Sequence, residues 1–500
     1  MSSYVRPLAK MILSAILLAG CTPPASEHLI PFPDKDDPIV SLRLWIKTGS
    51  QCDPTGREGL AALTAAMLTR ASTKVHSYSE ILDLLYPMAT SYQATVDKEM
   101  TVITARVHVD NLEEFYPLLI NAVLHPALLE DDFRRIRTDM INAIEKGLRY
   151  SDDEELGKAA LHTFVFEDTP YAHPVVGRVA SLKKITVDDV RSFYKRWYTG
   201  DNIVIGIAGG YDDALIERLQ LDIAKLPVGA PTPPGMPAPN EIQGLQFLLV
   251  EKDCKATSIS MGVPIDVLRG QDDFWPLFLF NSWFGEHRNS SSHLYQVLRE
   301  AQGMNYGAYS YIEFFPNGGH THMPTPNHAR RQQLFEIWLR PVRHEHRHFA
   351  LRAALRELQM AVDSGMTQEQ LDLTKRFLDK YVRHYAKTAF DRLGYAMDSR
   401  FYGLRGDYLD VLRKRLRRVS LDEVNTAIRT YLQPANLKIA VVTKGARAFA
   451  DSLVTDAPSP VIYDAPKSVK VIEDDAFIQV YPLAVRRENI RIVPVGQMFR

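Results

Sequence analysis

Cysteine is scarce in this sequence, with three residues among 500. Cys21 ends a short apolar run near the N-terminus, so only Cys52 and Cys254 remain for the body of the chain. Two widely separated cysteines exclude a disulfide framework of the kind found in small secreted domains, although one long-range bond between them is possible. Neither lies beside a histidine cluster, so a structural role is a better interpretation than a zinc site.

An excess of charge of either sign is also absent. Lys and Arg number 59 and Asp and Glu number 60, which leaves a net charge of −1. Nucleic-acid binding requires a clustered basic face, so no nucleic-acid partner is predicted. With 46% hydrophobic residues over 500 positions, the composition is that of a globular protein with room for two or more domains.

The N-terminal apolar stretch, Met11–Ala19, is too short to span a bilayer, and it follows Arg6 and Lys10 as in a secretory signal. It ends in Leu-Ala-Gly-Cys, which resembles the cleavage site of bacterial lipoproteins, with residues 1–21 as the signal peptide and Cys21 as the lipidated first residue. An ordinary signal peptide with an incidental cysteine is the alternative. Because Thr22 follows instead of aspartate, the resemblance implies the outer membrane rather than the inner. We expect a lipid-anchored, periplasm-facing protein, with residues 22–38 as a flexible tether.

A turn and a helix follow a predicted strand at 41–46. The stretch 49–67 reads GSQCDPTGREGLAALTAAM, a Gly/Pro/Asp turn and then an apolar helix that Gly59 opens. It resembles the opening of the insulinase/pitrilysin metallopeptidases, in which a G-S-x-x-[DE]-x-x-G turn precedes a helix of the form G-x-A-H-F-x-E-H-M. The matching residues are Gly49, Ser50, Asp53, Gly56, Gly59, Leu60, Ala61 and Met67.

The zinc-binding positions of that helix are not matched. The family's two histidines fall on Ala62 and Ala66, and its catalytic glutamate falls on Ala65. An alanine methyl can neither bind zinc nor accept a proton from water. The family's third zinc ligand is a glutamate on a later helix. Counted along the chain from the histidine positions, its place falls on Ala143. The nearest acid is Glu145, which is interpreted as a solvated helix carboxylate. The resemblance therefore implies no catalytic residue and no metal in this chain, with zinc in a partner subunit.

An internal repeat divides the chain. In the first half, Thr186 opens a predicted helix and Asn202 precedes a strand; Ser420 and Asn436 occupy the same places in the second half, without a gap. A match through helix, turn and strand indicates duplication. Predicted strands at 90–96 and 100–107, with a turn at 97–99, and predicted helices at 111–124, 130–148 and 156–166 fill the first half.

The Pro-rich linker at 226–243 separates two α+β domains, at 39–225 and 244–450, and leaves 451–500 as an extension without an assigned role. The family resemblance covers about 39–450. It implies two homologous α/β-sandwich domains, like those of the mitochondrial processing peptidase, that enclose a chamber.

Two histidine motifs are candidates for a metal or catalytic site. His173 lies in a loop, ending at Gly177, that resembles the family's H-P-[YL]-G-x-P-x-x-G segment, and it is interpreted as a packing residue. His344, Glu345 and His348 match the HExxH pattern of zinc peptidases, with Glu369 as a conceivable third ligand. The segment is locally rich in His and Arg, however, and a solvated, cation-rich helix start is the favoured interpretation.

The favoured functional residues are Arg299 and Tyr306. They lie in LREAQGMNYGAY, predicted as a helix end, a cap at Gly303 and an entering strand. The segment resembles the family's second-half motif R-x-x-x-G-x-x-Y, whose arginine and tyrosine hydrogen-bond the substrate peptide near the scissile bond. A guanidinium and a phenol are suitable donors for a carbonyl oxygen that gains charge. An exposed helix arginine and a core tyrosine form the structural alternative.

These residues lead to three functional hypotheses. In the family, two-chain members sometimes place the zinc motif in one subunit and the Arg/Tyr pair in the other. The first hypothesis is therefore a non-catalytic subunit that pairs with a zinc-bearing sister and orients peptides in the periplasm. The second is an autonomous zinc peptidase that uses His344, Glu345 and His348. The third is a peptide-binding or chaperone-like module without catalysis.

Overall fold

The first of two sheets is built from five strands. The computed structural model describes residues 28–316 and 323–500, so Cys21 and the predicted signal peptide lie outside the described residues. The strands are β1 (Leu29–Pro33), β2 (Ile39–Ile46), β3 (Ser91–Val96), β4 (Thr101–His108) and β5 (Ile203–Gly209). Their order is β1-β5-β2-β4-β3, with β1 parallel to β5 and the other pairs antiparallel. The predicted hairpin at 90–107 is confirmed.

The predicted tether at 22–38 is wrong for residues 29–33, which form β1. Pro31 and Pro33 suggested an irregular segment, but β1 is an edge strand that pairs with β5 alone. A proline is tolerated at an edge, because the missing N–H would face away from the sheet. The first domain therefore begins about ten residues before the predicted boundary.

Most helices of the first domain pack into the core on one face of this sheet. The helices of this domain are α1 (Leu60–Thr69), α2 (Tyr78–Leu85), α3 (Leu112–Leu124), α4 (Glu130–Asn142), α5 (Asp153–Val165), α6 (Val179–Leu182), α7 (Val187–Trp197) and α8 (Asp213–Ile223). The predicted helix at 130–148 is α-helical only as far as Asn142. A π-helical segment, Ala143–Ser151, continues it to the start of α5.

The second sheet has six strands. They are β6 (Gln246–Glu251), β7 (Thr257–Ile265), β8 (Asn305–Tyr311), β9 (Gln333–Val342), β10 (Lys438–Thr443) and β11 (Ile490–Pro494). The helices of this half are α9 (Phe274–Gly285), α10 (Arg347–Ser364), α11 (Gln368–Tyr381), α12 (Ala389–Phe401), α13 (Tyr408–Arg418), α14 (Leu421–Tyr431), α15 (Ala446–Thr455) and α16 (Val469–Ile478). The described linker residues between β5 and β6 contain no strand and no helix after α8.

The topology confirms the duplication. The second sheet has the order β11-β6-β10-β7-β9-β8, so its last five strands repeat the order of the first sheet, and β6 is parallel to β10 as β1 is to β5. The two repeat helices begin alike: Thr186 caps α7 and Ser420 caps α14, each through a reciprocal capping box. Edge strands β3 and β8 therefore occupy equivalent positions.

Each sheet is covered on its second face by a helix from the other domain. Helix α5 lies across β7 and β10, so close that a methyl group added at Gly157 would approach the Ser260 hydroxyl to 3.2 Å. Helix α12 lies across β1, β5 and β2, where Leu393 and Met397 pack with Val204 in a buried cluster. The α+β class with two sandwich-like domains is thus confirmed, and each domain completes the core of the other.

The C-terminal residues, predicted as an extension without an assigned role, contact both domains. Strand β11 joins the second sheet parallel to β6. Beyond it, the Met498 carbonyl accepts a hydrogen bond from Arg149 Nε at 2.7 Å, and the Phe499 carbonyl accepts one from the Val179 amide. Both side chains are buried in the first-domain core. Among residues 28–316 and 323–500, no helix is both long enough and apolar enough to cross a membrane.

Candidate functional site

The turn before α1 is held by backbone contacts with the β3–β4 hairpin. The Ser50 and Gln51 amides donate to the carbonyls of Asp97 and Lys98, at 2.9 and 3.0 Å. These contacts need glycine at position 49, because a Cβ there would lie 2.4 Å from both carbonyl oxygens. The glycine of the G-S-x-x-D-x-x-G turn is therefore required for close approach of two backbones.

Asp53 fixes the start of α1. Its carboxylate accepts hydrogen bonds from the Gly59 and Ala61 amides, both at 2.7 Å, and so satisfies two of the N–H groups that open the helix. Gly59 has φ of +104°, which favours glycine. Burial raises the pKa of Asp53 to about 7, although the two amides favour the charged form. The sequence pattern thus places the helix as the family resemblance implied.

The three positions that would carry the family's zinc chemistry hold methyl groups. Ala62 and Ala66 lie one turn apart on the same side of α1 and are partly buried, while Ala65 is 1% exposed in the core. None of the three has a donor atom, so this helix does not fit a zinc ion. The structure supplies no replacement: the described residues contain no group of three or more His, Cys, Asp or Glu side chains placed to hold a metal.

Glu145 lies on the π-helical segment after α4 and is half-buried, whereas Ala143 is exposed. Among the described residues, Glu145 has no hydrogen bond or ion pair. A single carboxylate does not hold a catalytic zinc, for which three protein ligands are usual.

Beneath the turn, two buried carboxylates form ion pairs that join the two domains. Asp97, on the β3–β4 hairpin, receives Nε of Arg330 at 2.9 Å and a second bond from the same guanidinium. Both side chains are about 2–3% exposed. Burial opposes the charge on Asp97, yet the guanidinium holds its pKa well below the usual range. Two residues along, Glu99 pairs with Arg331 and accepts a hydrogen bond from the Tyr171 hydroxyl.

Lys98 and His173 complete this layer. The Lys98 ammonium donates to the His173 carbonyl, and burial lowers the pKa of Lys98 to about 7, with Arg330 adding to the effect. The His173 ring donates from Nδ1 to the Pro174 carbonyl, and its Nε2 lies 3.9 Å from the Asp53 carboxylate. Burial, followed by the Lys98 charge, lowers the pKa of His173 to about 3. The ring is buried among protein groups, as expected for a packing residue.

Arg299 and Tyr306 lie together at the start of edge strand β8. Arg299 is on a π-helical turn, Tyr295–Ala301, which Gly303 ends with φ of +69° and an amide that donates to the Arg299 carbonyl. The guanidinium carbon is 4.6 Å from the ring centroids of both Tyr295 and Tyr306. The predicted helix end, cap and entering strand are therefore present.

The polar groups of this pair remain available. Tyr306 is 69% exposed and the Arg299 side chain is 31% exposed. Within the described residues, the only carboxylate within 4 Å of the guanidinium is that of Glu300, at 3.9 Å. The turn is held from behind by α16 and the segment before it: Lys467 Nζ donates to the Ala301 carbonyl at 2.7 Å, and Gln302 Nε2 donates to Asp475 of α16 at 3.1 Å. The structure thus presents a guanidinium stacked between two phenol rings on a supported turn.

The HExxH segment is engaged in protein contacts. His344 Nε2 lies 2.9 Å from the Cys254 carbonyl, which can only accept, so that nitrogen carries the proton, and Nδ1 lies 2.8 Å from the Thr257 hydroxyl. The exposed Glu345 pairs with Arg343 at 2.6 Å. Burial lowers the pKa of His348 to about 4. Glu369 is exposed at the start of α11, and none of these residues forms a metal-binding group in the described part of the chain.

Cys52 is buried in the turn before α1 and Cys254 is half-buried beside His344; both are free thiols, so the possible long-range disulfide is not formed. Sequence reasoning found Asp53 and the Arg299/Tyr306 pair, but it missed the Asp97–Arg330 pair. Its two partners are 233 residues apart, and nothing in the local pattern joins them.

Comparisons with known proteins agree with this architecture. A sequence model described as "Insulinase (Peptidase family M16)" matches residues 32–178, and one described as "Peptidase M16 inactive domain" matches residues 184–378. An uncharacterized zinc protease of Mycobacterium leprae is 26% identical over 283 residues, which are 56% of this chain and 62% of that protein. The chain thus matches less than two thirds of that relative's length.

Two further comparisons cover more of the chain. The non-peptidase homolog YmxG of Helicobacter pylori is 21% identical over 81% of this chain and 89% of its own length. The crystal structure of a peptidase M16 inactive domain from Pseudomonas fluorescens superposes with a TM-score of 0.73 at 21% identity, over 89% of this chain and 98% of that one, which shows a shared fold. With two consecutive family models spanning most of residues 32–378, the chain belongs to the insulinase family of peptidases (M16), as a member without the family's zinc-binding residues.

Proposed function

We propose that the chain is the substrate-orienting, non-catalytic subunit of a two-chain zinc peptidase that acts on peptides in the periplasm. On this proposal it is anchored through a lipid on Cys21, in the outer membrane rather than the inner. Its partner is an insulinase-family sister subunit that carries the intact zinc motif. Arg299 and Tyr306 hydrogen-bond the peptide next to the sister's zinc.

One observation carries the proposal: polar side chains are used in hydrogen bonds within the protein in the first half, and are available to a ligand in the second half. Around α1 the polar side chains hold backbone or each other, and the chemistry positions are Ala62, Ala65 and Ala66. At β8 the Arg299 guanidinium and the exposed Tyr306 phenol are preorganised, and among the described residues the one carboxylate near the guanidinium is that of Glu300, at 3.9 Å. The name of the H. pylori relative, a non-peptidase homolog, is consistent with a member that does not cleave peptides alone.

Peptide binding has a second support in the open edges of the sheets. Among residues 28–316 and 323–500, strands β3 and β8 pair on one side only, so each presents a sheet edge on which an extended peptide can add as a further strand. Tyr306 is the second residue of β8. A peptide on this edge would place its carbonyl groups beside the Arg299/Tyr306 pair.

The test is to purify the full chain alone and together with a sister subunit that carries the zinc motif, and to measure zinc content and peptide hydrolysis. We expect hydrolysis only in the complex. Arg299→Ala and Tyr306→Phe should each lower kcat by about 10- to 1,000-fold, because each removes one donor, while co-purification is retained. Arg343→Ala, an exposed arginine in a surface pair, is the matched control and should leave kcat unchanged.

Two results contradict the proposal. Zinc at about one per molecule in the isolated chain, with hydrolysis abolished by His344→Ala, would establish the autonomous peptidase. Peptide binding by the isolated chain, with no activity in any complex and no effect of Arg299→Ala on a partner, would establish the binding module.

A further inference from the structure

One surface of the second domain carries several exposed cations close together, although the whole chain has a net charge of −1. The surface is formed by α11, the turn after it and α13. Its exposed cations without a hydrogen bond or ion pair within the described residues are Arg376, Lys380, Arg383, Lys414 and Arg418. We call these five residues the basic face.

The two helices lie side by side. Arg413 and Arg417 of α13 both reach Asp379 of α11, at 3.3 and 2.5 Å. At the other end of the contact, Lys375 Nζ donates to the Val419 carbonyl. A higher residue number on α11 is paired with a lower one on α13, as the contacts 375–419 and 379–413 show. The two helices are therefore antiparallel neighbours.

The basic face points outward. Along α11 the buried residues are Leu371, Thr374 and Leu378, and the cations at 376, 380 and 383 follow the i, i+4, i+7 spacing of the opposite side. On α13 the buried residues are Tyr408, Leu412 and Leu416, which leaves Lys414 on the outer side. Exposed acids also lie on this side: Glu369 and Asp372 precede Arg376 by seven and four residues on α11, and Asp410 precedes Lys414 by four on α13. Asp379 is bound by two arginines, so the five cations still outnumber the three remaining acids.

Apolar side chains accompany the cations. Leu373 is 60% exposed and lies three residues before Arg376, on the same side of α11. Phe377 and Tyr381 stack on each other, with ring centroids 5.0 Å apart, and lie partly buried against the second-domain core. Lys and Arg heads around an exposed leucine and aromatic rings are the composition of a helix that rests in the headgroup layer of a membrane.

We propose that the basic face binds the surface of a membrane that contains anionic phospholipids. Juxtamembrane clusters of Lys and Arg are attracted to anionic lipid headgroups, and a basic patch is a common addition to a lipid anchor. This inference draws on the lipid anchor that is part of the proposed function, but it concerns a different surface and a different ligand. The exposed Leu373 favours a lipid surface over an acidic polypeptide, which would be matched by charge alone.

The test uses the unacylated full chain, Cys21→Ser, and sedimentation with two kinds of vesicle: phosphatidylcholine alone, and an equal mixture with phosphatidylglycerol. Whatever the N-terminal apolar run contributes is the same in every variant. The basic-face variant is R376E/K380E/K414E, and its matched control is K183E/K184E/K195E. The control residues are exposed, and the substitutions make the same charge change on the first domain.

We expect the wild-type chain to prefer the phosphatidylglycerol vesicles and to lose that preference in 0.5 M salt. Each cation near an anionic surface contributes about fivefold, so the basic-face variant should bind these vesicles about 100-fold more weakly than the control. Unfolding midpoints of all variants should agree. In the basic-face variant, peptidase activity of the two-chain complex on a soluble peptide should be unchanged. A failure of this proposal can therefore be distinguished from a failure of the proposed function.

Equal binding by the basic-face variant and the control would overturn the proposal, as would a wild-type chain that does not distinguish the two kinds of vesicle. Loss of a co-purified acidic subunit from the basic-face variant, without any effect on vesicle binding, would assign the surface to a protein instead.

Discussion

The edges of the two sheets can be compared directly, because β3 and β8 hold equivalent positions. Next to β3, Asp53 and Asp97 are fully buried and fully bonded, and α1 offers only methyl groups where the family has its chemistry. Next to β8, Tyr306 is exposed and Arg299 is half-exposed, and the guanidinium has only the Glu300 carboxylate, at 3.9 Å, as an ionic partner within the described residues. In the first region polar residues maintain structure, and in the second they are free for a ligand. Substitutions should therefore affect stability in the first region and binding in the second.

Arg330→Ala should have the largest effect on stability. It leaves the Asp97 carboxylate buried without its partner, which costs about 3–5 kcal/mol in the free energy of unfolding. Chemical denaturation measures the change. Arg343→Ala, which breaks an exposed pair, is the control and should change stability by less than about 0.5 kcal/mol. The double variant Asp97→Asn/Arg330→Met should recover part of the loss; equal losses in single and double variants would contradict the assignment.

Asp53→Ala should rank second. It leaves the Gly59 and Ala61 amides without an acceptor at the start of α1, which corresponds to about 2–3 kcal/mol. Asp53→Asn keeps one acceptor oxygen and should lose roughly half as much. Asp131→Ala, at a carboxylate that is 90% exposed in the first turn of α4, is the control. A loss for Asp53→Ala no larger than that of the control would show that the carboxylate does not hold the helix.

The His173 ring gives a pH-dependent prediction. Folding lowers its pKa from about 6.5 to about 3, so between these pH values the unfolded chain binds the proton more strongly than the folded chain. The contribution of the neutral His173 ring to the free energy of unfolding is complete above pH 6.5. It decreases as the pH falls toward 3, and about 2 kcal/mol of it is lost at pH 5. Asp53, with its pKa raised to about 7, acts with the opposite sign between pH 4 and 7.

Because these two groups oppose each other, the informative quantity is the difference in unfolding free energy between the wild type and His173→Gln. We expect this difference to shrink by about 2 kcal/mol between pH 7.5 and pH 5. A difference that is independent of pH would mean that the ring is not kept neutral in the fold.

Arg299→Ala should affect stability less than Arg330→Ala and Asp53→Ala do, and it should have a large effect on turnover in the complex. Its stacking on Tyr295 and Tyr306 is partly exposed, so the free energy of unfolding should change by about 0.5–1 kcal/mol. Thermal denaturation of the isolated chain measures it. A loss comparable to that of Arg330→Ala would place Arg299 among the structural residues and weaken the contrast between the two regions.

Local patterns predicted much of this structure. The hairpin, the turn before α1, the repeat helices with Thr186 and Ser420 as caps, and the Gly303 turn were all predictable, because spacing and capping chemistry act over a few residues. Strand β1 was missed since its prolines suggest a loop. Strand β11, the crossing helices α5 and α12 and the Asp97–Arg330 pair depend on partners hundreds of residues away, for which the sequence holds no local signal.

The exchange of α5 and α12 between the domains has a consequence for how the molecule comes apart. Neither half has a complete core alone, since each would expose the face of its sheet that the other half covers. A protease that nicks the exposed linker near residue 230 should therefore leave two fragments that stay associated and unfold in one cooperative transition. The linker only keeps the two halves close to each other, whereas the packing of α5 and α12 on the opposite sheets holds them together.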